Sequence, residues 1–197
     1  MAGADPTPPG GESHRLFTLP NIITLVRLAA VPATVWLVLH QAMGWAFIVF
    51  AAAGVSDGLD GWIARAWNQR SALGAMLDPV ADKALLISIY IVLAIMGGLP
   101  DWLAILVVTR DVFILGGLAV LWFLGIRPPI APLYISKVNT FTQIALAGFA
   151  LLQAGFGMGP DWGLQFLIWS VACSTLVSGA AYLAGGARLL AAGPGQP

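Results

Sequence analysis

Four aspartates stand close together in a part of the chain that is otherwise apolar enough to enter a membrane. They form two pairs, Asp57 with Asp60 and Asp78 with Asp82. A carboxylate at bilayer depth costs several kcal/mol unless a partner compensates it, and four carboxylates at one place also repel one another. Hard divalent cations prefer carboxylate oxygens as ligands. The segment is therefore predicted to be a metal site at a membrane surface.

The composition indicates an integral membrane protein. Of the 197 residues, 59% are hydrophobic and only 9% are charged, whereas about a quarter of a soluble domain is charged. This length allows roughly six spans of about 20 residues each. The fold class expected is all-α, a polytopic membrane protein with six transmembrane helices. The net charge is zero, which gives no reason to expect a nucleic-acid partner.

Apolar runs predict the six helices at about 22–40, 45–66, 77–96, 102–124, 135–154 and 164–183. Residues 1–13 are rich in Pro and Gly and are expected to be a disordered tail. Residues 14–190 are expected to form one membrane domain, and residues 191–197 a second tail. Within that domain, residues 14–19 are short, partly basic and partly apolar, which favours an amphipathic segment along the membrane interface over a plain linker.

Basic residues predict the orientation of the helices. They lie near both termini and near the second-to-third and fourth-to-fifth links, at Arg15, Arg65, Arg70, Arg127, Lys137 and Arg188. The positive-inside rule then places both termini and the acidic segment on the cytoplasmic side. Three tryptophans, Trp45, Trp102 and Trp162, would mark the opposite interface.

Helical spacing would bring the four carboxylates together. Asp57 and Asp60 project from one face of their helix, and Asp78 and Asp82 from one face of the next. The short link between these helices makes them antiparallel neighbours. Two metals bridged by such carboxylates would clamp a diphosphate and suit displacement at phosphorus. One carboxylate could act as a base for the incoming hydroxyl.

The same residues carry a family resemblance. They follow the pattern Asp57-x2-Asp60-Gly61-x2-Ala64-Arg65-x8-Gly74-x3-Asp78-x3-Asp82, with Gly58 beside its first aspartate. This pattern resembles the signature of the CDP-alcohol phosphatidyltransferases. The stretch 19–27 resembles the entry to that family's first span. The resemblance covers nearly the whole chain and implies an enzyme of phospholipid biosynthesis that depends on two divalent ions, magnesium or manganese, with cobalt as a further option.

The resemblance also implies roles for individual residues. Asp57, Asp60 and Asp78 are expected to be the main metal ligands, and Asp82 to share a metal and act as general base. The CDP-lipid is expected to contact seven positions of the motif and the first helix: Asn21, Thr24, Gly58, Gly61, Ala64, Arg65 and Gly74.

Within the family, the eukaryotic-type, CMP-forming cardiolipin synthases are resembled by residues 68–74, 78–83, 110–112 and 135–140. Those enzymes transfer a phosphatidyl group from CDP-diacylglycerol to phosphatidylglycerol and release CMP. The alternative is phosphatidylglycerophosphate synthase, whose acceptor is glycerol 3-phosphate. That small dianion would favour several converging cations, and the later helices supply only Arg110, Arg127 and Lys137. The cation count therefore supports phosphatidylglycerol.

Three residues of the later helices are expected to contact the acceptor: Arg110, Lys137 and Asn139. Intramembrane ions are functional hypotheses by default, but Arg110 could instead lock helices through an ion pair, and Lys137 could simply snorkel to the interface. Lys83 is expected to be a counter-ion to the acidic cluster.

The remaining expectations concern partners, location and a competing class. Family resemblance implies a homodimer among membrane lipids. A bacterial inner membrane is expected, or the mitochondrial inner membrane in a eukaryote. The competing class is a cation transporter that uses the acidic cluster as its ion site, although transporter sites are expected at the membrane midplane. Sequence alone leaves open the acceptor, the preferred metal, the acyl chains, the dimer interface and the organism.

Overall fold

Six helices make up the computed structural model, in which the backbone is described for residues 19–66, 72–123 and 134–192. Side chains are described for residues 25–56, 83–114, 116–117, 120, 123 and 134–187. The helices are α1 Leu19–Leu39, α2 Met43–Ala66, α3 Ala72–Ile95, α4 Asp101–Phe123, α5 Tyr134–Phe156 and α6 Asp161–Ala192. The described backbone contains no strand, so the all-helical fold class and the number of helices are confirmed. The tail 1–13, the residues 14–18 of the interfacial segment and residues 193–197 lie outside the described part.

Two short links have the hydrogen bonds of a Schellman cap. At the end of α3, Gly97 has a φ of 73°, and the amides of Gly97 and Gly98 bond the carbonyls of Ala94 and Leu93. The end of α1 repeats this arrangement with Gln41, at a φ of 60°. The left-handed region suits Gly and is strained for Gln. Both caps end their helix sharply, so each neighbour turns back after a short link.

The helices pack as a bundle with a continuous apolar core. Helix α1 contacts α2 and α3, α2 contacts α5, α3 contacts α4 and α5, and α6 contacts α4 and α5. The largest fully buried apolar side chains come from five of the six helices: Val38, Ile89, Tyr90, Leu93, Leu103, Val107, Leu146, Leu151 and Val171. Helix α5 lies against three neighbours and contributes buried Asn139 and Gln143 as well as apolar residues.

The outside of the bundle is also apolar. Large hydrophobic side chains on all six helices are mostly exposed, among them Trp36, Trp45, Ile95, Phe113, Phe141 and Phe166. Within the described residues, two helical segments are long and apolar enough to cross a membrane, Tyr134–Phe156 and Asp161–Ala187. Shorter apolar helical segments are Leu25–Leu39, Met43–Ser56 and Lys83–Ile95. An apolar exterior suits lipid contact, as in a membrane protein.

Candidate active site

The acidic motif spans the end of α2 and the start of α3. Asp57 and Asp60 lie in α2, Asp78 and Asp82 lie in α3, and residues 67–71 between the helices are outside the described backbone. Residues three or four apart on a helix share a face, so the helical backbone supports the predicted pairing within each helix. The side chains of these aspartates are outside the described residues, and their convergence stays a prediction.

The residues predicted to contact the CDP-lipid lie on the same elements. Gly58, Gly61, Ala64 and Arg65 are in α2 and Gly74 is in the first turn of α3. Asn21 and Thr24 are near the start of α1, which packs against both α2 and α3. Their side chains too are outside the described part of the chain, so these assignments also stay predictions.

The donor set of the motif fits hard divalent cations. Four carboxylates offer only oxygen ligands, the kind that magnesium and manganese prefer. Elsewhere, the described side chains form no group of three or more His, Cys, Asp or Glu that could hold a metal ion. The metal site at the acidic motif stays a prediction.

Directly after the motif, the partly exposed Lys83 joins a buried ion pair on α4 to form a cluster of three charges, the Lys83–Asp111–Arg110 cluster. The ammonium of Lys83 lies 2.8 Å from Oδ2 of Asp111 on α4. The other carboxylate oxygen, Oδ1, accepts a hydrogen bond of 2.7 Å from Nη1 of Arg110. The side chains of Arg110 and Asp111 are 5% and 2% exposed. Two cations thus share one carboxylate, and the cluster carries a net charge of +1.

Arg110 also joins three helices. Its Nη2 donates a hydrogen bond of 2.9 Å to Ser136 on α5 and another to Ser178 on α6. The ring of Tyr182, also on α6, lies 5.7 Å from the guanidinium carbon. Arg110 was expected to contact the acceptor or to lock helices through an ion pair. The geometry shows the ion pair, and it leaves the acceptor role as a prediction.

The other two predicted acceptor residues, Lys137 and Asn139, differ in their burial. Lys137 is exposed near the start of α5, beside Ser136. Asn139 is fully buried, and its Oδ1 accepts hydrogen bonds of 2.8 Å from the hydroxyls of Ser174 and Thr175 on α6. The structure therefore brings Arg110 next to the start of α5, and it holds Asn139 inside the α5–α6 contact.

Sequence reasoning missed the hydroxyl groups of α6. Ser174, Ser178 and Tyr182 are four residues apart, so they lie on one face of the helix, and they reach Asn139 or Arg110. That spacing was a usable signal in an otherwise apolar span. The partner of Lys83 was also unexpected, because its described ion pair goes to Asp111 across the helix interface.

The chain belongs to the CDP-alcohol phosphatidyltransferase family. The sequence model of that family matches residues 17–177, which include the whole acidic motif and the Lys83–Asp111–Arg110 cluster. Members transfer a phosphatidyl group in phospholipid biosynthesis, so the chain is a membrane-bound transferase.

Individual relatives in several organisms carry specific names. A protein of Streptomyces coelicolor named cardiolipin synthase (CMP-forming) is 36% identical over 82% of this chain and 84% of its own length. A human protein with the same name is 32% identical over 92% of this chain and 68% of its own. A rice chloroplast protein named CDP-diacylglycerol–glycerol-3-phosphate 3-phosphatidyltransferase 1 is 35% identical over 87% of this chain and 58% of its own.

Proposed function

We propose that this protein is a CMP-forming cardiolipin synthase, which transfers the phosphatidyl group of CDP-diacylglycerol to phosphatidylglycerol. The observation that carries the proposal is the similarity to relatives of that name, bacterial and human, over most of the chain. The expected substrates are both lipids, and their acyl chains suit the apolar exterior of the helices.

The charge of the Lys83–Asp111–Arg110 cluster supports this acceptor. Lys83, Arg110 and Asp111 together carry +1. The phosphodiester of phosphatidylglycerol is a monoanion, and one such group would neutralise the cluster. Charge left unbalanced in a poorly solvated place is costly. The cluster therefore suits a phosphodiester better than the dianionic phosphate of glycerol 3-phosphate.

In the proposed reaction, Asp82 takes the proton from the free primary hydroxyl of the phosphatidylglycerol head. The hydroxyl oxygen then attacks the phosphorus that carries diacylglycerol, and the bond from that phosphorus to the CMP oxygen breaks. The products are cardiolipin, CMP and a proton. Asp57, Asp60, Asp78 and Asp82 would hold two divalent ions, which when bound supply polarisation of the phosphoryl oxygen and stabilisation of the leaving phosphate.

The placement in the membrane is a further part of the proposal. Six spanning helices, with the acidic motif and both termini on the cytoplasmic side of a bacterial inner membrane, would put Asp82 where CDP-lipids are present. The positive-inside distribution of basic residues supports this orientation. The family resemblance also supports one membrane domain over residues 14–190 and a homodimer. Light scattering of the purified protein in detergent would measure the mass of the assembly and so test the dimer.

Phosphatidylglycerophosphate synthase is the second candidate function. It is favoured by the rice relative, whose name gives glycerol 3-phosphate as the second substrate and whose identity is close to that of the synthase relatives. Identity alone does not separate the two acceptors. The family membership leaves the expected competing class, a cation transporter, without support.

The deciding experiment supplies purified protein in mixed micelles with CDP-diacylglycerol and manganese. Phosphatidylglycerol and glycerol 3-phosphate are given in separate reactions, and CMP and the lipid products are followed. Cardiolipin formed with phosphatidylglycerol, and no product with glycerol 3-phosphate, is the expected result. Turnover with glycerol 3-phosphate alone would overturn the acceptor assignment and leave the family chemistry intact.

A further inference from the structure

The two cations of the Lys83–Asp111–Arg110 cluster have hydrogen-bond donors that no described residue accepts. Of the three N–H groups of Lys83, the described contacts use one, to Asp111. Arg110 donates from Nη1 to Asp111 and from Nη2 to two serines, while its buried Nε has no hydrogen-bond partner among the described residues. An unpaired donor on a buried charged group is costly. The unused donors and the net charge both point to an anionic ligand.

The position of Lys83 in the chain indicates which anion this is. Lys83 directly follows Asp82, the proposed general base, in the backbone of α3. In phosphatidylglycerol, one glycerol separates the phosphate from the hydroxyl that must lose its proton. A base and a phosphate-binding cation on neighbouring positions match that separation.

We propose that Lys83 binds the acceptor phosphate together with Arg110, and that Asp111 is the positioning residue for both cations. This inference rests on the proposed function, because it assigns the acceptor side of that site. Asp111 is 2% exposed, and its two oxygens each hold one cation. Without that carboxylate, the two like charges repel one another and the Lys83 side chain, 31% exposed, turns towards solvent. The cations would then lose their common orientation.

The test measures the KM values for phosphatidylglycerol and CDP-diacylglycerol separately in Lys83→Met and Asp111→Asn. Both variants should raise the KM for phosphatidylglycerol about tenfold, the effect of losing a hydrogen bond to a charged group. The KM for CDP-diacylglycerol should stay within about twofold. Asp111→Glu, which keeps the charge, should recover part of the loss. Asp101→Asn removes an exposed carboxylate at the start of the same helix and serves as the matched control, with no change expected.

The double variant separates positioning from direct contact. If Asp111 acts through Lys83, Lys83→Met combined with Asp111→Asn should raise the KM by less than the product of the two single effects. If the rise in KM of the double variant equals the product of the two single rises, the positioning role of Asp111 is overturned. An unchanged KM for phosphatidylglycerol in Lys83→Met, or an equal rise in both lipid KM values, would overturn the whole inference, and this variant decides alone if Asp111→Asn does not fold.

Wild-type protein distinguishes this failure from failure of the proposed function. If the wild type makes cardiolipin and Lys83→Met leaves the KM for phosphatidylglycerol unchanged, only the inference about Lys83 fails. If wild type instead uses glycerol 3-phosphate, the proposed function fails, and the same variants are measured with that acceptor. Lys83 should still affect the KM for the acceptor phosphate, and an unchanged value there would overturn the inference as well.

Discussion

The hydroxyl of Tyr90 on α3 donates a hydrogen bond of 3.1 Å to the main-chain carbonyl oxygen of Gln143 on α5. Tyr90 is fully buried. It lies seven residues after Lys83, so the two side chains share one face of α3. That face reaches α4 through Lys83 and Asp111 and reaches α5 through Tyr90. The helix that carries Asp78 and Asp82 is thus held by polar bonds to two neighbours.

Removing the Tyr90 hydroxyl should weaken the contact between α3 and α5. Tyr90→Phe keeps the ring in the core and loses the hydrogen bond, which should lower the free energy of unfolding by about 1 kcal/mol. Thermal unfolding in detergent would measure the change. Tyr134→Phe is the control, because that side chain is 81% exposed and its replacement should leave the midpoint unchanged. Equal midpoints for Tyr90→Phe and wild type would contradict the prediction.

The close contact of α2 with α5 should not tolerate a methyl group at Gly155. A Cβ at this position would lie 2.6 Å from the Cα of Gly44, and backbone atoms cannot move aside cheaply. Gly155→Ala should cost about 1–3 kcal/mol through overpacking, visible as a lower unfolding temperature. Gly148→Ala on the same helix meets only the Phe50 ring at 3.8 Å. That control should be neutral or slightly stabilising, and a similar loss in both variants would count against the packing argument.

Asp82→Asn should separate binding from chemistry. The amide keeps one oxygen that can ligate a metal and three other carboxylates remain, so metal and CDP-lipid binding should persist. Because the amide cannot take a proton, most turnover should be lost. Removal of a general base typically costs a factor of about 10²–10⁴. CMP release measures turnover, and Mn²⁺ binding followed by electron paramagnetic resonance measures the metal. Turnover of Asp82→Asn at the wild-type rate would exclude Asp82 as the base.

The fully buried Asn139 should prove more important for stability than for acceptor binding. Asn139→Ala leaves the hydroxyls of Ser174 and Thr175 without their shared acceptor, which should cost about 1–3 kcal/mol. Thr140→Ala, whose hydroxyl bonds the carbonyl of Ser136 within α5, is the matched control with a smaller loss. Unfolding temperature and the KM for phosphatidylglycerol are both measured. A raised KM at unchanged stability would instead support the predicted acceptor contact.

The number and approximate position of the helices could be predicted from sequence. Each apolar run is long enough to indicate a helix without information about its neighbours in the fold. The ends were less predictable. Helix α6 continues to Ala192, nine residues beyond the expected Leu183, through Gly185 and Gly186. A glycine inside a helix costs only about 1 kcal/mol, so the pair does not stop it. Helix α3 begins at Ala72, five residues before the expected Leu77. Residues 72–76 are Ala, Leu, Gly, Ala and Met, and the single glycine among them does not stop the helix.

The candidate site was predictable only where its residues form a local pattern. The four aspartates are fixed by spacing within two helices, whereas Lys83 and Asp111 are separated by 28 positions. Which helices become neighbours decides that pair, and hydrophobicity gives no register between spans. The burial of Asn139 likewise depends on α6. The expected counter-ion role of Lys83 was reasoned from its neighbours in the chain, while its described partner comes from across the bundle.

The ion pair between Arg110 and Asp111 lies within a single helix, and this has a consequence for biogenesis. A segment that enters the bilayer with an isolated charge meets a large barrier. In α4 the two opposite charges are adjacent and bonded. In the proposed topology of six spans, this segment would insert as a nearly neutral unit before α5 and α6 are made. Lys83 has no such partner on α3 among the described residues and gains one when α4 arrives. We therefore expect α3 and α4 to insert together, as a hairpin.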